Sequence, residues 1–145
     1  MNTVTEITDK EKLFLNPNEM AFRKIYKSLL EKKEVTTIFR PGRRLCGDYR
    51  GYCSDQEVTI KIIDKTGADW AMLPPKFVED FSKKVIIKEV LVKTLGELTD
   101  EDFIGTTEDV RDITSLKYHL GVIYNLSDDE LTDDFIITKT IFEYK

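Results

Sequence analysis

The chain has 145 residues, of which 41% are hydrophobic and 34% are charged, and its formal net charge is −5. This length and composition predict one domain with a core large enough to fold without a metal or disulfide staple. No uncharged apolar run approaches the roughly 18 residues of a membrane helix, and the N-terminus lacks the apolar region of a secretory signal. We therefore expect a cytoplasmic protein with no membrane partner.

The N-terminal part predicts a polar segment followed by an amphipathic helix. Residues 1–15 are treated as the polar segment, and a single domain is expected over 16–145. Residues 16–19 (NPNE) have the composition of a helix start, with a capping residue, a proline and a glutamate in a capping box. Apolar residues then recur at helical spacing, which predicts a helix over 17–32. Its apolar face consists of Phe22, Ile25, Tyr26, Leu29 and Leu30.

Three segments rich in β-branched and aromatic residues predict strands at 35–39, 58–63 and 85–92. The first two are joined by residues 40–56, which contain three glycines and a proline and predict a long irregular loop. Loops of this length in a compact domain are usually functional or disordered, and the tyrosines of this loop argue against disorder. Residues 67–75 include the single tryptophan, Trp70, and predict a turn-rich crossover with a core anchor.

The C-terminal part predicts a short helical turn at 98–103 with Thr99 as its cap, a helix at 114–124 and a strand at 135–144. Most strands follow one another without an intervening helix, which favours an α+β fold with a mixed or antiparallel sheet over a doubly wound α/β fold. The residues expected to share one core are Phe22, Ile25, Leu29, Ile60, Ile62 and Phe142.

Cysteine and histidine are too few for a zinc site built from these residue types alone. We therefore expect no metal and no other cofactor. In a cytosolic setting Cys46 and Cys53 are expected to be reduced thiols. His119 lies between leucines on the predicted helix and is expected to be structural. The acidic residues of 128–134 lack the spacing of a calcium loop and predict a solvated turn.

Charge is unevenly distributed along the sequence. Residues 20–50 contain nine Lys or Arg and three acids, whereas residues 97–135 contain twelve acids and two basic residues. A concentrated basic segment can mark a polyanion site, because the local field attracts phosphate. Alternatively, the arginines pair with the acidic half across an internal cleft, or they are solvated surface charges. The sequence leaves these alternatives open.

The order of the predicted elements, and the residues at several of them, resemble the ASCH domain, a branch of the PUA-like β-barrel superfamily. Residues 29–40 (LLEKKEVTTIFR) are similar to the family signature Gly-x-Lys-x-x-Thr-x-Arg, with Glu31 at the glycine position and a longer spacing before Arg40. Residues 98–103 and 116–124 resemble the family's acidic turn and helix. The resemblance implies a small mixed or antiparallel β-barrel with flanking helices and a cleft for RNA or a nucleoside-like ligand.

Basic and aromatic residues in and before the long loop form the candidate RNA- or nucleotide-binding site. Arginine binds phosphate bidentately, and aromatic rings stack on unpaired bases. The candidate residues are Lys32, Lys33, Arg40, Arg43, Arg44, Tyr49, Arg50 and Tyr52.

The resemblance also implies an alternative, because in some small ASCH proteins a Lys, a Thr and a Glu act together as an amidohydrolase on acylated cytidine. The candidates here are Lys33 as the base, Thr37 or Thr36 as the nucleophile, and Glu108 as the positioning carboxylate. Lys33 could instead stabilise the end of the preceding helix. The altered signature favours a binding module over an enzyme. A third alternative is a protein-interaction domain that uses its acidic half.

Overall fold

A computed structural model describes residues 16–63, 77–78 and 81–145, and within them the fold is α+β. The strands are β1 (Glu19–Arg23), β2 (Thr37–Pro41), β3 (Glu57–Ile63), β4 (Lys83–Thr94) and β5 (Ile136–Tyr144). The α-helices are α1 (Lys27–Glu31) and α2 (Ile113–Tyr124). Short 3-10 turns cover Lys24–Tyr26, Leu95–Glu97 and Asp100–Phe103.

All five strands belong to one mixed sheet with the spatial order β1-β3-β4-β5-β2. Strand β1 runs parallel to β3, while β3–β4, β4–β5 and β5–β2 are antiparallel pairs. The register of β4 on β5 shifts between Ile87 and Glu89, which marks a β-bulge in the longest strand. The mixed sheet and the α+β class are thus confirmed.

The predicted helix over 17–32 is wrong in its first half. Residues 19–23 form β1, a 3-10 turn follows, and only Lys27–Glu31 is α-helical. Met20 and Phe22 are buried, while the residues between and after them are less so, and this alternation fits a strand as well as a helix. Pairing with β3 satisfies the backbone groups of β1 that face β3, so tertiary contacts favour the strand over the helix.

The remaining predicted elements are present with small changes of boundary. Strand β2 lies two residues later than expected, because the N–H groups of Thr36 and Thr37 both donate to the Gly105 carbonyl at 2.8 and 3.1 Å. The turn at Asp100–Phe103 begins after Thr99, whose N–H donates to the Asp102 carboxylate at 2.9 Å in a capping box.

Helix α2 begins after its cap, Asp112, and ends at Tyr124, followed by the C-terminal cap Asn125, which adopts a left-handed φ of 54°. Strand β5 begins one residue later than predicted. The elements of the C-terminal half are therefore confirmed.

The core consists of two clusters of buried apolar side chains. The larger cluster comprises Met20, Phe22, Tyr26, Leu30, Val35, Ile38, Tyr52, Val58, Ile60, Ile62, Phe81, Val85, Ile87 and Phe142. The smaller cluster comprises Phe39, Leu95, Val110, Leu116, Leu120, Leu131 and Ile137. The larger cluster receives side chains from both edge strands, so the sheet curves around it.

Of the six residues predicted to share the core, Phe22, Ile60, Ile62 and Phe142 belong to the larger cluster, and Leu29 packs against it while partly buried. Ile25 is 51% exposed, so its placement in the core is wrong. The change from strand to 3-10 turn at residue 24 rotates this side chain away from the core.

One ion cluster is buried within the fold. The Asp102 carboxylate lies 3.0 Å from the Lys93 ammonium and 2.8 Å from the Lys139 ammonium, and its side chain is 7% exposed. These contacts connect the Asp100–Phe103 turn to β4 and β5, across the face of the sheet.

Two parts of the sequence analysis lie outside the described residues: the polar segment 1–15, and residues 67–75 with Trp70. Among the described residues, none of the helices has the length and apolar character needed to cross a membrane.

Candidate nucleotide-binding site

The loop between β2 and β3 carries most of the candidate site and is tied to the sheet at several points. The Gly42 N–H donates to the Ile136 carbonyl, and the Arg44 N–H donates to the Thr138 hydroxyl, both at 2.8 Å. Asp48 makes the next turn, accepting from the Leu45 N–H at 2.9 Å. These bonds give an ordered platform to a loop that has no regular secondary structure.

Cys46 and Cys53 are joined by a disulfide that closes the loop around its tip, with their Cα atoms 4.4 Å apart. The prediction of two reduced thiols is therefore wrong. The turns at Asp48 and Gly51, each closed by a backbone hydrogen bond of 2.9 Å, return the chain on itself and bring the two cysteines together.

Three arginines of the candidate site act electrostatically on one buried tyrosine. Tyr52 is 8% exposed, and its hydroxyl donates to the Glu19 carbonyl in β1. Burial raises the pKa of Tyr52 to about 12, although the nearby Arg40, Arg44 and Arg50 oppose this rise. Tyr52 is therefore uncharged at neutral pH and contributes an apolar ring within a positively charged environment.

The Arg40 guanidinium connects the two edges of the sheet. It donates to the Phe39 carbonyl in its own strand at 3.1 Å and to the Ala21 carbonyl in β1 at 3.2 Å. It also lies 5.7 Å from the centre of the Phe22 ring, within range of a cation–π contact. Arg40 thus positions the edges at the site as well as supplying charge.

Arg44 is partly buried beside the other arginines. Its Nε donates to the Pro41 carbonyl at 3.2 Å. Burial lowers the pKa of Arg44, and repulsion from Arg40 and Arg50 lowers it further, while Tyr124 and Tyr52 oppose this. Within the described residues no carboxylate forms an ion pair with these three arginines. Glu19, whose charge also acts on Tyr52, pairs instead with Lys61 at 3.8 Å.

The other basic residues of the segment differ in whether they pair with the acidic half of the chain. Arg43 pairs with Asp48 of its own loop at 3.4 Å, and not with the acidic half. Lys32 and Lys33 are exposed after α1, and neither forms an ion pair within the part of the chain that the structure describes. Arg23 does reach the acidic half, at Asp109. Among the described residues, an ion pair between the basic segment and the acidic half is thus formed by Arg23 of β1, and the arginines of the loop form none with the acidic half.

A shallow cleft of about 240 Å³ lies between the N-terminal turn and the loop tip. Its lining includes Glu19, Asp48, Tyr49, Arg50 and Tyr52. Tyr49 is 82% exposed, and the Arg50 guanidinium lies over its ring at 5.3 Å. The cleft therefore has an exposed aromatic face with a cation beside it, an arrangement suited to stacking with a base.

The residues of the amidohydrolase alternative are placed differently. Lys33 is exposed in a left-handed conformation with φ of 59°, Thr37 is 3% exposed, and Glu108 is exposed on the loop before α2. Thr36 is partly buried against Gly105. None of the hydrogen bonds or ion pairs of the described residues joins Lys33 to a threonine or to Glu108. The alternative stays a prediction.

A polar network beside the arginines was missed by sequence reasoning. The Tyr26 hydroxyl donates to Asp109 Oδ2, the Thr107 hydroxyl donates to Asp109 Oδ1, and Arg23 donates to the Tyr26 hydroxyl, each at 2.6 Å. Burial and the Asp109 carboxylate raise the pKa of Tyr26 to about 12. Tyr26 is therefore protonated at neutral pH and acts as a donor to Asp109.

His119 completes this network. Its Nδ1 lies 3.7 Å from Asp109 Oδ2, and its side chain is 16% exposed. Burial lowers the pKa of His119 to about 4; Asp109 opposes the shift, and Arg23 and Arg40 add to it. His119 is thus neutral at physiological pH. Arg40 lies 5.7 Å from the centre of the Phe22 ring, and this ring packs edge-on against Tyr26 with 6.3 Å between the ring centres, so Phe22 connects the network to Arg40.

The only sequence signal for this network was the helical spacing that placed Tyr26 and His119 on faces of predicted helices. Tyr26 and Asp109 are 83 residues apart, and nothing local connects them. As for metals, no group of three or more His, Cys, Asp or Glu side chains within the described ranges could hold an ion.

Comparisons with known proteins give a fold neighbour and no family. No protein-family model matches the chain, and no curated protein matches it. A crystal structure of protein EF3133 from Enterococcus faecalis V583, described as DUF984, is similar in fold, with a TM-score of 0.53 and 13% sequence identity. The similarity covers 98% of this chain and 89% of that one. At this identity the comparison supports the overall fold alone, and it carries no information about activity.

Proposed function

We propose that this protein binds the phosphate groups of RNA or of a nucleotide through Arg40, Arg44 and Arg50, with Tyr49 and Tyr52 beside them. The observation that carries the proposal is that Arg40, Arg44 and Arg50 all act electrostatically on the buried Tyr52, while none of them forms an ion pair with a carboxylate of the described residues. Lys32, Lys33 and Arg43 are exposed basic residues that could add contacts to a long ligand, and Arg43 pairs with Asp48.

The energetics of Arg44 favour an anionic ligand. Burying a cation costs free energy unless the charge is paired and hydrogen-bonded, and among the described residues Nε is the only guanidinium nitrogen of Arg44 that makes a protein hydrogen bond. A phosphate between Arg44 and its neighbours would offset their mutual repulsion and accept the unused guanidinium donors. A bound anion would therefore reduce the repulsion between the arginines and so stabilise the folded protein.

The shape of the sheet is consistent with the barrel that the resemblance implies. The edge strands β1 and β2 are not hydrogen-bonded as a pair, yet the Arg40 side chain bridges them at Ala21. We propose that the fold is a PUA-like barrel closed at this gap by side chains, and that the ligand lies at this mouth.

The test is binding of a fluorescein-labelled single-stranded RNA, measured by anisotropy at several salt concentrations. With three to five phosphate contacts, the log–log salt slope should be about −2 to −3.5, since each contact on a single strand contributes about −0.7. Arg44→Gln should weaken binding about tenfold and make the slope shallower by about 0.7.

Arg111→Gln is the matched control, because it removes the same charge from the acidic half of the chain. Arg111 donates to the Glu108 carbonyl at 2.7 Å and should be irrelevant to binding. If a folded Arg44→Gln protein binds RNA and mononucleotides as tightly as the Arg111→Gln protein, with an unchanged slope, the arginine cluster is not the site. Absence of binding by the wild-type protein would also refute the proposal.

A further inference from the structure

The disulfide between Cys46 and Cys53 encloses one wall of the cleft. Of the eight described residues that line the cleft, five lie between the two cysteines, and the other three lie between positions 16 and 19. The exposed Tyr49 ring and the Arg50 guanidinium over it belong to the enclosed segment. The groups of the cleft that suit a base and a phosphate are therefore both carried by residues 46–53, which we call the tip loop.

The tip loop has few other contacts that fix its position. Among the described residues, the backbone hydrogen bonds of 46–51 stay within the loop: Asp48 donates to the Leu45 carbonyl, and Gly51 donates to the Asp48 carbonyl, both at 2.9 Å. No residue of 46–51 belongs to either core cluster. The disulfide is thus the covalent connection that holds the wall of the cleft in place.

The backbone of the tip loop also needs a constraint. Arg50 adopts a left-handed φ of 58°, which a residue with a side chain rarely does unless the surrounding structure holds it there. The two sides of the loop meet closely, since a Cβ on Gly51 would lie 1.9 Å from the Leu45 carbonyl oxygen. Opening the disulfide allows the two sides to separate and Arg50 to relax, which redirects its guanidinium.

The ends of the tip loop are held independently of the disulfide. On one side the Arg44 N–H donates to the Thr138 hydroxyl, and on the other the Cys53 N–H donates to Gln56 Oε1, both at 2.8 Å. Tyr52 is buried in the larger core cluster. Opening the disulfide therefore releases the tip loop and leaves the sheet intact.

The disulfide is accessible to a reductant, because Cys46 is exposed and Cys53 is partly buried. Exposed disulfides are the more easily reduced ones. A thiolate of a dithiol attacks Cys46 Sγ, the S–S bond breaks, and Cys53 Sγ leaves with the electron pair and takes up a proton. The second thiol of the reductant then displaces Cys46 as a thiol, and the dithiol is oxidised to a disulfide.

We propose that the Cys46–Cys53 disulfide is a redox switch that controls ligand binding at the cleft. The oxidised protein holds Tyr49 and Arg50 in place for the ligand, and the reduced protein binds more weakly because these side chains must be ordered on binding. The inference rests on the proposed function and names a regulation of that same site.

The experiment measures anisotropy of the fluorescein-labelled single-stranded RNA with the oxidised protein and with protein reduced by dithiothreitol. The chain has two cysteines, so reduction changes this bond alone. The Kd should rise about tenfold on reduction. A Cys46→Ser/Cys53→Ser protein should bind as the reduced protein does, with and without dithiothreitol.

Two single variants test whether the effect acts through the tip loop. Arg50→Gln removes a side chain that the disulfide positions, so its Kd should change less than about threefold on reduction. Arg43→Gln is the matched control: it removes the same charge before the tip loop, and its Kd should still rise about tenfold on reduction.

Failure of the inference and failure of the proposed function are distinguishable. If both redox forms bind RNA equally, or if the double serine variant binds as the oxidised protein does, the switch is wrong and the arginine site stands. If reduction abolishes the far-UV circular dichroism of the sheet, the disulfide is a structural staple and the switch is also wrong. If neither redox form binds RNA, the proposed function is wrong and the switch with it.

Discussion

The buried ion cluster at Asp102 gives the sharpest stability prediction for this fold. The side chains of Asp102 and Lys139 are 7% and 9% exposed and lie 2.8 Å apart, and Lys93 adds a second ammonium at 3.0 Å. Asp102→Asn keeps the size of the side chain and an oxygen that can accept from the Thr99 N–H. It removes the negative charge and leaves Lys139 buried without its counter-charge.

We expect Asp102→Asn to lower the free energy of unfolding at pH 7 by about 3–5 kcal/mol, the cost of breaking a buried ion pair from one side. The matched control is Glu143→Gln, because Glu143 pairs with Lys88 at 3.7 Å with both side chains well exposed. An exposed pair of this kind contributes about 0–1 kcal/mol. Urea denaturation of both variants and the wild type measures the difference.

The pH dependence follows from the ionisation of Asp102. Burial would raise its pKa, but hydrogen bonds from Lys139, Thr99 and Lys93 outweigh it and hold the pKa well below 3.8. The folded state therefore binds this proton more weakly than the unfolded state, so the contribution is fully present above about pH 4 and is lost as the pH falls below that. The difference between wild type and Asp102→Asn should shrink over the same range. A cost at pH 7 no larger than that of Glu143→Gln, or a difference that grows in acid, would refute the reasoning.

Four further outcomes are expected. Gly105→Ala should cost more stability than Gly42→Ala in thermal melts, by about 1–3 kcal/mol, because both have positive φ but only at Gly105 would an added Cβ lie 2.2 Å from a threonine hydroxyl. Leu30→Ala should cost about 2–5 kcal/mol by urea denaturation, since Leu30 is fully buried. Intact mass spectrometry after alkylation without reductant should show no adduct on Cys46 or Cys53, and removing this disulfide should cost about 2–3 kcal/mol. The wild-type protein should not hydrolyse N4-acetylcytidine, and turnover followed by liquid chromatography would contradict a purely binding function.

The sequence was informative wherever one periodicity clearly dominated. Helix α2 has apolar residues at helical spacing between Asp112 and Asn125, which cap its two ends, so pattern and caps agree. Strands β3 and β5 have β-branched runs too short for a helix of typical length. In such segments local preference and tertiary contacts favour the same structure.

Residues 19–31 show where local pattern is insufficient. Phe22, Tyr26 and Leu30 are buried in the structure as the helical pattern predicted, yet they reach the core from a strand, a 3-10 turn and a helix in succession. The parallel pairing of β1 with β3 joins segments about 40 residues apart, and no property of residues 19–23 alone specifies it. A burial pattern can thus be nearly right while the secondary structure is wrong.

In the candidate site, too, some residues could be predicted from the sequence and others depend on the fold. Its arginines were visible in the sequence because they cluster within eleven residues, from Arg40 to Arg50. Asp109 could not be selected among twelve acids of the C-terminal half, because what distinguishes it is a hydrogen bond from Tyr26 on the other side of the fold. Charge segregation therefore predicts a cationic surface, whereas the contact between Tyr26 and Asp109 depends on the fold alone.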